Sequence, residues 1–215
     1  MGNTVGSRGV LTQRQKEILI GTVLGDAYLE KNGRYTRVRI DHYDKHKTYI
    51  FWLAQEFLPF SLKPRHIVET DKRNGKQYSR WHFSTKSLPI FDEFRELFYR
   101  NGKKIISPLL VKILSPLSLA IWYMDDGSNN GRNITLNTHN FSISEQKVLQ
   151  KFLLNKFGVA TTLVKDRSKY KIAVGSYEYS KFIKIVRPFV IPSMSYKISS
   201  PRNDLIISND RVMTF

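Results

Sequence analysis

The chain has no cysteine among its 215 residues. That excludes disulfides and thiolate zinc sites, and it fits a reducing compartment. Long apolar runs are also missing, so no segment approaches the length of a membrane span. The first six residues are polar and contain no secretory apolar region, and Gly6 stands where a myristoylation signal requires Ser or Thr. The expectation is an intracellular protein of the cytoplasm, nucleoid or an organelle matrix, not a secreted one. The five histidines show no zinc-binding spacing. Acidic residues are scarce: 18 Asp and Glu face 35 Lys and Arg, for a net charge of +17. Such an excess calls for a polyanionic partner. The cations interleave with aromatics along the chain and no basic amphipathic helix stands out, which favours a folded nucleic-acid surface over a membrane surface.

What is present is a hydrophobic fraction of 41%, enough for a real core, and two related stretches. Leu19 to Ala27 and Leu119 to Gly127 are each an apolar run ending in an acidic residue beside glycine, with Asp26 and Asp126 100 positions apart. Both read as helices. The first opens on a capping box, Thr12-x-x-Gln15, and the second on Ser115-Pro116, an N-cap followed by proline at the first helical position. Both are apolar on every side near their ends, so both are expected to be buried. Gly21 and Ala120 are small enough to let them pack closely. A helix C-terminus carries partial negative charge and unpaired carbonyls, so an aspartate there is disfavoured. Two such ends together are costly unless a cation sits among them. Oxygen ligands of this kind suit Mg²⁺, Mn²⁺ or Ca²⁺.

The order of elements repeats around these helices. In the first half, residues 11–110, helix Gln13 to Gly25 leads to a strand from Thr36 to Tyr43. Val38 and Ile40 lie on one face of that strand, and Arg37, Arg39 and Asp41 on the other. Asp44 is placed to cap a helix with Tyr49, Ile50, Leu53 and Phe57 inward. A hairpin from Arg65 to Thr70 and Tyr78 to Thr85 turns at Asn74-Gly75 and carries Lys63, Arg65, Lys72, Arg73, Lys76 and Arg80. A helix over about Pro89 to Arg100 buries Ile90, Phe91, Phe94, Leu97 and Phe98.

The second half, residues 111–198, has its strand from Asn133 to His139. Ser142-x-x-Glu145 is a capping box for a helix burying Val148, Leu149, Phe152 and Leu153. A hairpin follows, from Thr161 to Lys165 and Tyr170 to Gly175. Ser176 is placed to cap the last helix, with Tyr179, Phe182, Ile183 and Val186 inward. Lys104 and Lys197 close the two halves at matching places, and His42 and His139 are read as equivalent strand ends, structural or DNA-facing. Residues 1–10 read as a polar lead-in and 199–215 as an extension. The fold class is α+β: two pseudo-symmetric α-β-α-β-β-α halves packed through the two helices, with antiparallel sheets forming a basic saddle.

Leu19 to Ala27 and Leu119 to Gly127 resemble the paired motifs of single-chain LAGLIDADG homing endonucleases. Leu24-Gly-Asp-Ala-Tyr28, Ser118 to Gly127 and Ile191-Pro-x-Met-x-Tyr-Lys197 are similar to the omega-intron type. The resemblance spans about residues 11 to 198. It implies a monomeric, metal-dependent endonuclease that cuts both strands of a long asymmetric DNA target across the minor groove, leaving short 3′ overhangs. Mg²⁺ is the implied cofactor, with Mn²⁺ an alternative and Ca²⁺ supporting binding without cleavage. By motif position Asp26 and Asp126 are the metal ligands, with the carbonyls of Gly25 and Asp125 as additional donors. Lys104 and Lys197 match basic residues near the family's active sites, and no general base is assigned. Candidate DNA contacts are Arg37, Arg39, Lys63, Arg65, Lys72, Arg73, Lys76, Arg80, Arg132, Asn137, His139, Lys165, Arg167, Lys169 and Lys171. The rivals are an RNA-binding maturase of the chain's own intron and a non-catalytic DNA-binding regulator. Aspartates at both motif ends argue against either as the whole function.

Overall fold

The computed structural model describes residues 9–199. Most of the expected lead-in, and the extension beyond 199, lie outside the described residues. The first half runs α1 (Gln13–Leu24), β1 (Tyr28–Asn32), β2 (Tyr35–Tyr43), α2 (Lys47–Glu56), β3 (Arg65–Thr70), β4 (Gln77–Ser84) and α3 (Ile90–Phe98). A two-residue hairpin, β5 (Tyr99–Arg100) and β6 (Lys103–Lys104), and the short helix α4 (Pro108–Ile113) follow. The second half repeats the order with α5 (Pro116–Asp126), β7 (Gly127–Asn129), β8 (Ile134–Leu136), α6 (Ile143–Phe157), β9 (Thr162–Asp166), β10 (Lys169–Val174) and α7 (Ser176–Val186). A 3₁₀ turn over Pro192–Lys197 closes it. The two four-stranded sheets have the same order, β1-β2-β4-β3 and β7-β8-β10-β9, with every neighbour antiparallel.

The α+β architecture of two pseudo-symmetric halves is therefore as expected, with one strand more per half. Each motif helix feeds directly into that strand. The strands escape the sequence pattern because β1 buries only Leu29 and β7, Gly-Ser-Asn, buries nothing. Other boundaries also move. The third helix stops at Phe98 because Asn101 and Gly102 both take positive φ, 52° and 73°, which makes a tight primed hairpin. The half boundary expected at 110 falls inside α4. Asp44 does not cap α2; its Oδ1 accepts the Trp81 indole N–H at 2.7 Å. Ser176 is the first residue of α7 and makes no cap bond. The expected capping boxes at Thr12/Gln15 and Ser142/Glu145 both form, and Ser115 accepts from the Ser118 amide.

α1 and α5 pack against each other at the centre, with Ile18 to Leu24 and Leu117 to Met124 buried on all sides. Burying each such Leu or Ile contributes about 1.5–3 kcal/mol, which holds the pair together despite the charges at its ends. The approach is close at Gly21. A β-carbon there would lie 2.5 Å from the Ser118 carbonyl oxygen and 2.6 Å from Ile121 Cβ. One sheet flanks each helix, its inner face closed by α2 and α3 in the first half and by α6 and α7 in the second. Among the described residues no helix is long and apolar enough to cross a membrane.

Candidate active site at the ends of the paired helices

The two motif helices finish side by side, and their acidic ends form one electrostatic cluster. The Asp26 carboxylate is 40% exposed. Its pKa is raised by burial and by the Asp125 charge, against the pull of His42, Lys197 and Lys104. Asp126 is pushed up to about 7 by burial and by the charges of Asp26 and Asp125, opposed by Lys104 and Lys197. Carboxylates whose proton affinity is raised by burial and by neighbouring negative charge are the groups a divalent cation relieves. The oxygen-rich donor set suits Mg²⁺ or Mn²⁺.

Two lysines reach the same place from unrelated elements. Lys104, on β6, is delivered by the Asn101-Gly102 turn. Its Nζ donates to the Gly25 carbonyl at 3.1 Å and the Ala27 carbonyl at 3.2 Å. Lys197, at the end of the 3₁₀ turn, donates to the carbonyls of Tyr123 (3.3 Å), Asp125 (3.3 Å) and Gly127 (3.0 Å). Its own carbonyl is held by the Tyr123 hydroxyl and by Asn129 Nδ2. Both ammonium groups thus satisfy the free carbonyls of a helix C-terminus and oppose its negative end. Burial lowers both pKa values, and the three carboxylates counter it. The carbonyls of Gly25 and Asp125 already accept from lysine here, and each keeps a second lone pair.

Asp125 and His42 do more than the sequence suggested. The Asp125 side chain is fully buried. Its Oδ2 lies 3.5 Å from the Asp26 amide and its Oδ1 3.7 Å from His42 Nε2. His42 Nδ1 lies 3.7 Å from Asp26 Oδ2. Burial lowers the pKa of His42, but the neighbouring carboxylates outweigh it and the net shift is upward. Asp26, His42 and Asp125 together could hold a metal ion. His42 was legible as an inward residue: it continues the Val38, Ile40 alternation, and its ring packs on Tyr49.

The strand ends first read as equivalent are offset by one residue. Taking Asp26 and Asp126 as the common origin, Tyr28 pairs with Arg39 and Ser128 with Thr135. The counterpart of His42 is then Thr138, a buried residue bonded to Gln146 and the Ile172 amide. The β7–β8 hairpin is shorter than β1–β2, which hides this in the sequence. His139 lies on the polar side and faces Asp166 at 3.4 Å.

The candidate DNA contacts divide by position. Arg37, Arg39, Arg65 and Arg80 share the polar face of the first sheet through the pairings Arg37 with Glu30, Arg65 with His82 and Arg80 with Tyr43. Lys63 precedes β3, and Lys72, Arg73 and Lys76 form the tip of its hairpin. A groove of about 580 Å³ joins Asp26 to Tyr43, Arg80 and Arg73. In the second half Lys169 and Lys171 lie on the polar face, Arg132 and Arg167 in turns, and the backbone N–H of exposed Asn137 donates to the Asp126 carbonyl. Lys165 pairs with Tyr170, which puts it on the opposite, helix-covered side of the sheet.

Comparison with known proteins agrees with this arrangement. Residues 16–182 match the LAGLIDADG DNA endonuclease family. The chain is 32% identical over 209 residues to DNA endonuclease I-ChuI of Chlamydomonas applanata, covering 88% of this chain and 96% of that protein. It is 32% identical over 197 residues to the cytochrome b mRNA maturase bI2 of Debaryomyces hansenii, covering 88% and 75% respectively. Among solved structures, the homing endonuclease I-WcaI bound to its DNA recognition sequence superposes with a TM-score of 0.84 at 28% identity, covering 93% of this chain and 95% of that one.

Proposed function

This chain belongs to the LAGLIDADG DNA endonuclease family, and from that premise we propose that it is a monomeric homing endonuclease that hydrolyses both strands of one long, asymmetric DNA site and leaves short 3′ overhangs. The observation that carries the reading is the meeting of Asp26, Asp126, Lys104 and Lys197 at the ends of the paired helices, between two sheets with basic polar faces. Two helix ends related by pseudo-symmetry suit two scissile phosphates, one on each strand.

Asp26 and Asp126 would hold Mg²⁺ or Mn²⁺, with the Gly25 and Asp125 carbonyls as further donors. Such an ion, when bound, supplies an activated water and charge stabilisation at the leaving 3′ oxygen. Lys104 and Lys197 stand beside the carboxylates, where they stabilise negative charge developing on the phosphate. Their fixed bonds to the helix-end carbonyls mean that little reorganisation is needed. The sheets hold the duplex, with Arg and Lys neutralising phosphates and the β-strand face reaching base edges in the major groove.

The test is cleavage of a site selected from a randomised DNA library. The expected result is double-strand scission in Mg²⁺ and binding without scission in Ca²⁺. Asp26→Asn and Asp126→Asn should each abolish the double-strand break while keeping the protein on its site. Full cutting by either variant would refute the assignment. A second reading, assistance in folding the chain's own intron RNA, is favoured by the similarity to the Debaryomyces maturase. Binding to the excised intron after both aspartates are replaced would separate the two activities.

A further inference from the structure

The helix crossing that joins the halves cannot be symmetric at the active site. Positions 25 and 125 correspond in the two motifs, and they face each other. A β-carbon on Gly25 would lie 2.5 Å from Asp125 Cβ and 2.7 Å from its Oδ2. Only one of the two positions can carry a side chain, and here it is the second. The carboxylate of Asp125 is consequently pushed into the wall of the first half. There it meets the amide of Asp26 on one side and His42 on the other.

His42 is placed between two carboxylates, with Nδ1 toward Asp26 and Nε2 toward Asp125, each at 3.7 Å. The ring is walled by Tyr49 and His46, with centroids 5.3 and 5.7 Å away. His42 Nε2 and Asp125 Oδ1 are buried and make no hydrogen bond among the described residues. Buried polar atoms of this kind are costly, and their presence beside a reacting carboxylate asks for a reason. Among the described residues no histidine is grouped with Asp126 in this way. The position corresponding to His42 is Thr138, whose hydroxyl is engaged with Gln146 and the Ile172 amide.

We propose that His42, set between Asp125 and Asp26, is a positioning residue for the Asp26 carboxylate alone, so that the two strand-cleaving centres of this chain are unequal. The inference rests on the nuclease reading above. An imidazole that closes the remaining distance to hydrogen-bond range would hold the Asp26 carboxylate in one orientation toward a metal and a phosphate, whereas the two lysines act on both aspartates and cannot single out either. Partners of this kind, once removed, typically lower metal affinity or activity by about 10–100-fold.

The experiment resolves the two strands. A duplex carrying the target, labelled separately at each strand, is cut by the wild type and by His42→Ala, His42→Gln and Asp125→Asn. The same proteins, bound to DNA, are titrated with Ca²⁺ by calorimetry. With His42→Ala, cleavage of one strand should fall about 10–100-fold while the other changes far less, so that a nicked product accumulates with a single polarity. His42→Gln, which keeps a donor, should recover part of that strand's rate, and Asp125→Asn should shift the same strand. Ca²⁺ should bind more weakly at one of two sites. If His42→Ala proves unfolded by thermal melting, His42→Gln and Asp125→Asn decide alone. Equal slowing of both strands, or an unchanged strand ratio in every folded variant, overturns the proposal. Failure of the wild type to cut either strand instead overturns the nuclease reading.

Discussion

The two sheets share strand order and antiparallel pairing, yet they are equipped differently. In the first, the strands are long and each arginine on the polar face near the helix ends is held by an acid. Arg37 Nε meets Glu30 at 2.6 Å, Arg39 bridges Glu30 and Asp41, and Asp41 reaches His82 at 2.8 Å. Farther out Arg80 meets Glu69 at 2.6 Å. In the second, β7 and β8 have three residues each, and among the described strand residues Asp166 is the sole carboxylate. It holds Lys171 at 2.8 Å and leaves Lys169 exposed. A braced arginine has already lost its rotamer freedom, and its planar fork suits bidentate readout of a guanine. A free lysine is a mobile point charge suited to phosphate. On the nuclease reading the first sheet discriminates bases and the second contributes affinity.

The largest expected effect tests whether the lysines are equivalent despite that difference. Lys104→Met and Lys197→Met should each slow cleavage by about 10²–10³-fold, the usual loss for a donor aimed at developing charge. Lys197→Met should also destabilise the protein more, because Lys197 bonds three carbonyls at its helix end, one of them shared with the Gly127 amide, where Lys104 bonds two. Equal melting temperatures would argue against that capping role. The helix pair offers the next contrast. α1 and its cap supply the holes, Gly21 and Gly25, and α5 the bulk, Ile121 and Asp125. Gly21→Ala must push against backbone at Ser118 and should cost about 1–3 kcal/mol, read by chemical denaturation.

The sheets themselves are compared by binding. Glu30→Gln releases Arg37 and Arg39 and should relax base preference at one or two positions, by about 1–3 kcal/mol each, with little change in salt dependence. Lys169→Ala should weaken binding to all sequences alike and reduce the slope of log K against log salt by about 0.9 if the lysine neutralises one phosphate. The reverse pattern, with Glu30 affecting affinity only and Lys169 affecting preference, would break the division of labour.

Much of this was legible in the chain. The two capping boxes and the Ser-Pro start carry local chemistry that no tertiary contact overrides, so α1, α5 and α6 lie where the sequence puts them. Matching lysines at 104 and 197 could be picked out by their place in the repeat, though not that each ammonium group caps the C-terminal end of its own half's motif helix. Hidden features were those whose cause is long-range. β1 and β7 are strands because a neighbour pairs with them, not because they alternate. That exposed Lys165 lies on the side of the sheet away from the basic face follows from its pairing with Tyr170. The sequence marks Asp125 only as a backbone donor, because its side chain becomes important only when Gly25 lies opposite.

The smallest effect concerns protons, and it sharpens the contrast between the two aspartates. In the metal-free protein Asp126 holds its proton up to about 7, against an ordinary value of 3.8. Between those values the folded state binds more protons than the unfolded one, so this group's contribution is full at low pH and is lost as pH rises through about 7. Asp26 is also raised, and His42 beside it is raised as well. A base held charged contributes below its ordinary 6.5 and loses that contribution as pH rises through its higher folded value, so all three act in the same direction. The melting temperature of the metal-free protein should therefore decline between pH 5 and pH 8, by about 2–4 °C for each kcal/mol lost. Asp126→Asn should flatten the decline more than Asp26→Asn, since Asp26 has His42 to offset its charge. Divalent cation displaces the same protons, so the stabilisation it gives should grow as pH rises over this window. A metal effect that shrank toward pH 8 would mean that the carboxylates at the helix ends are not where the ion binds.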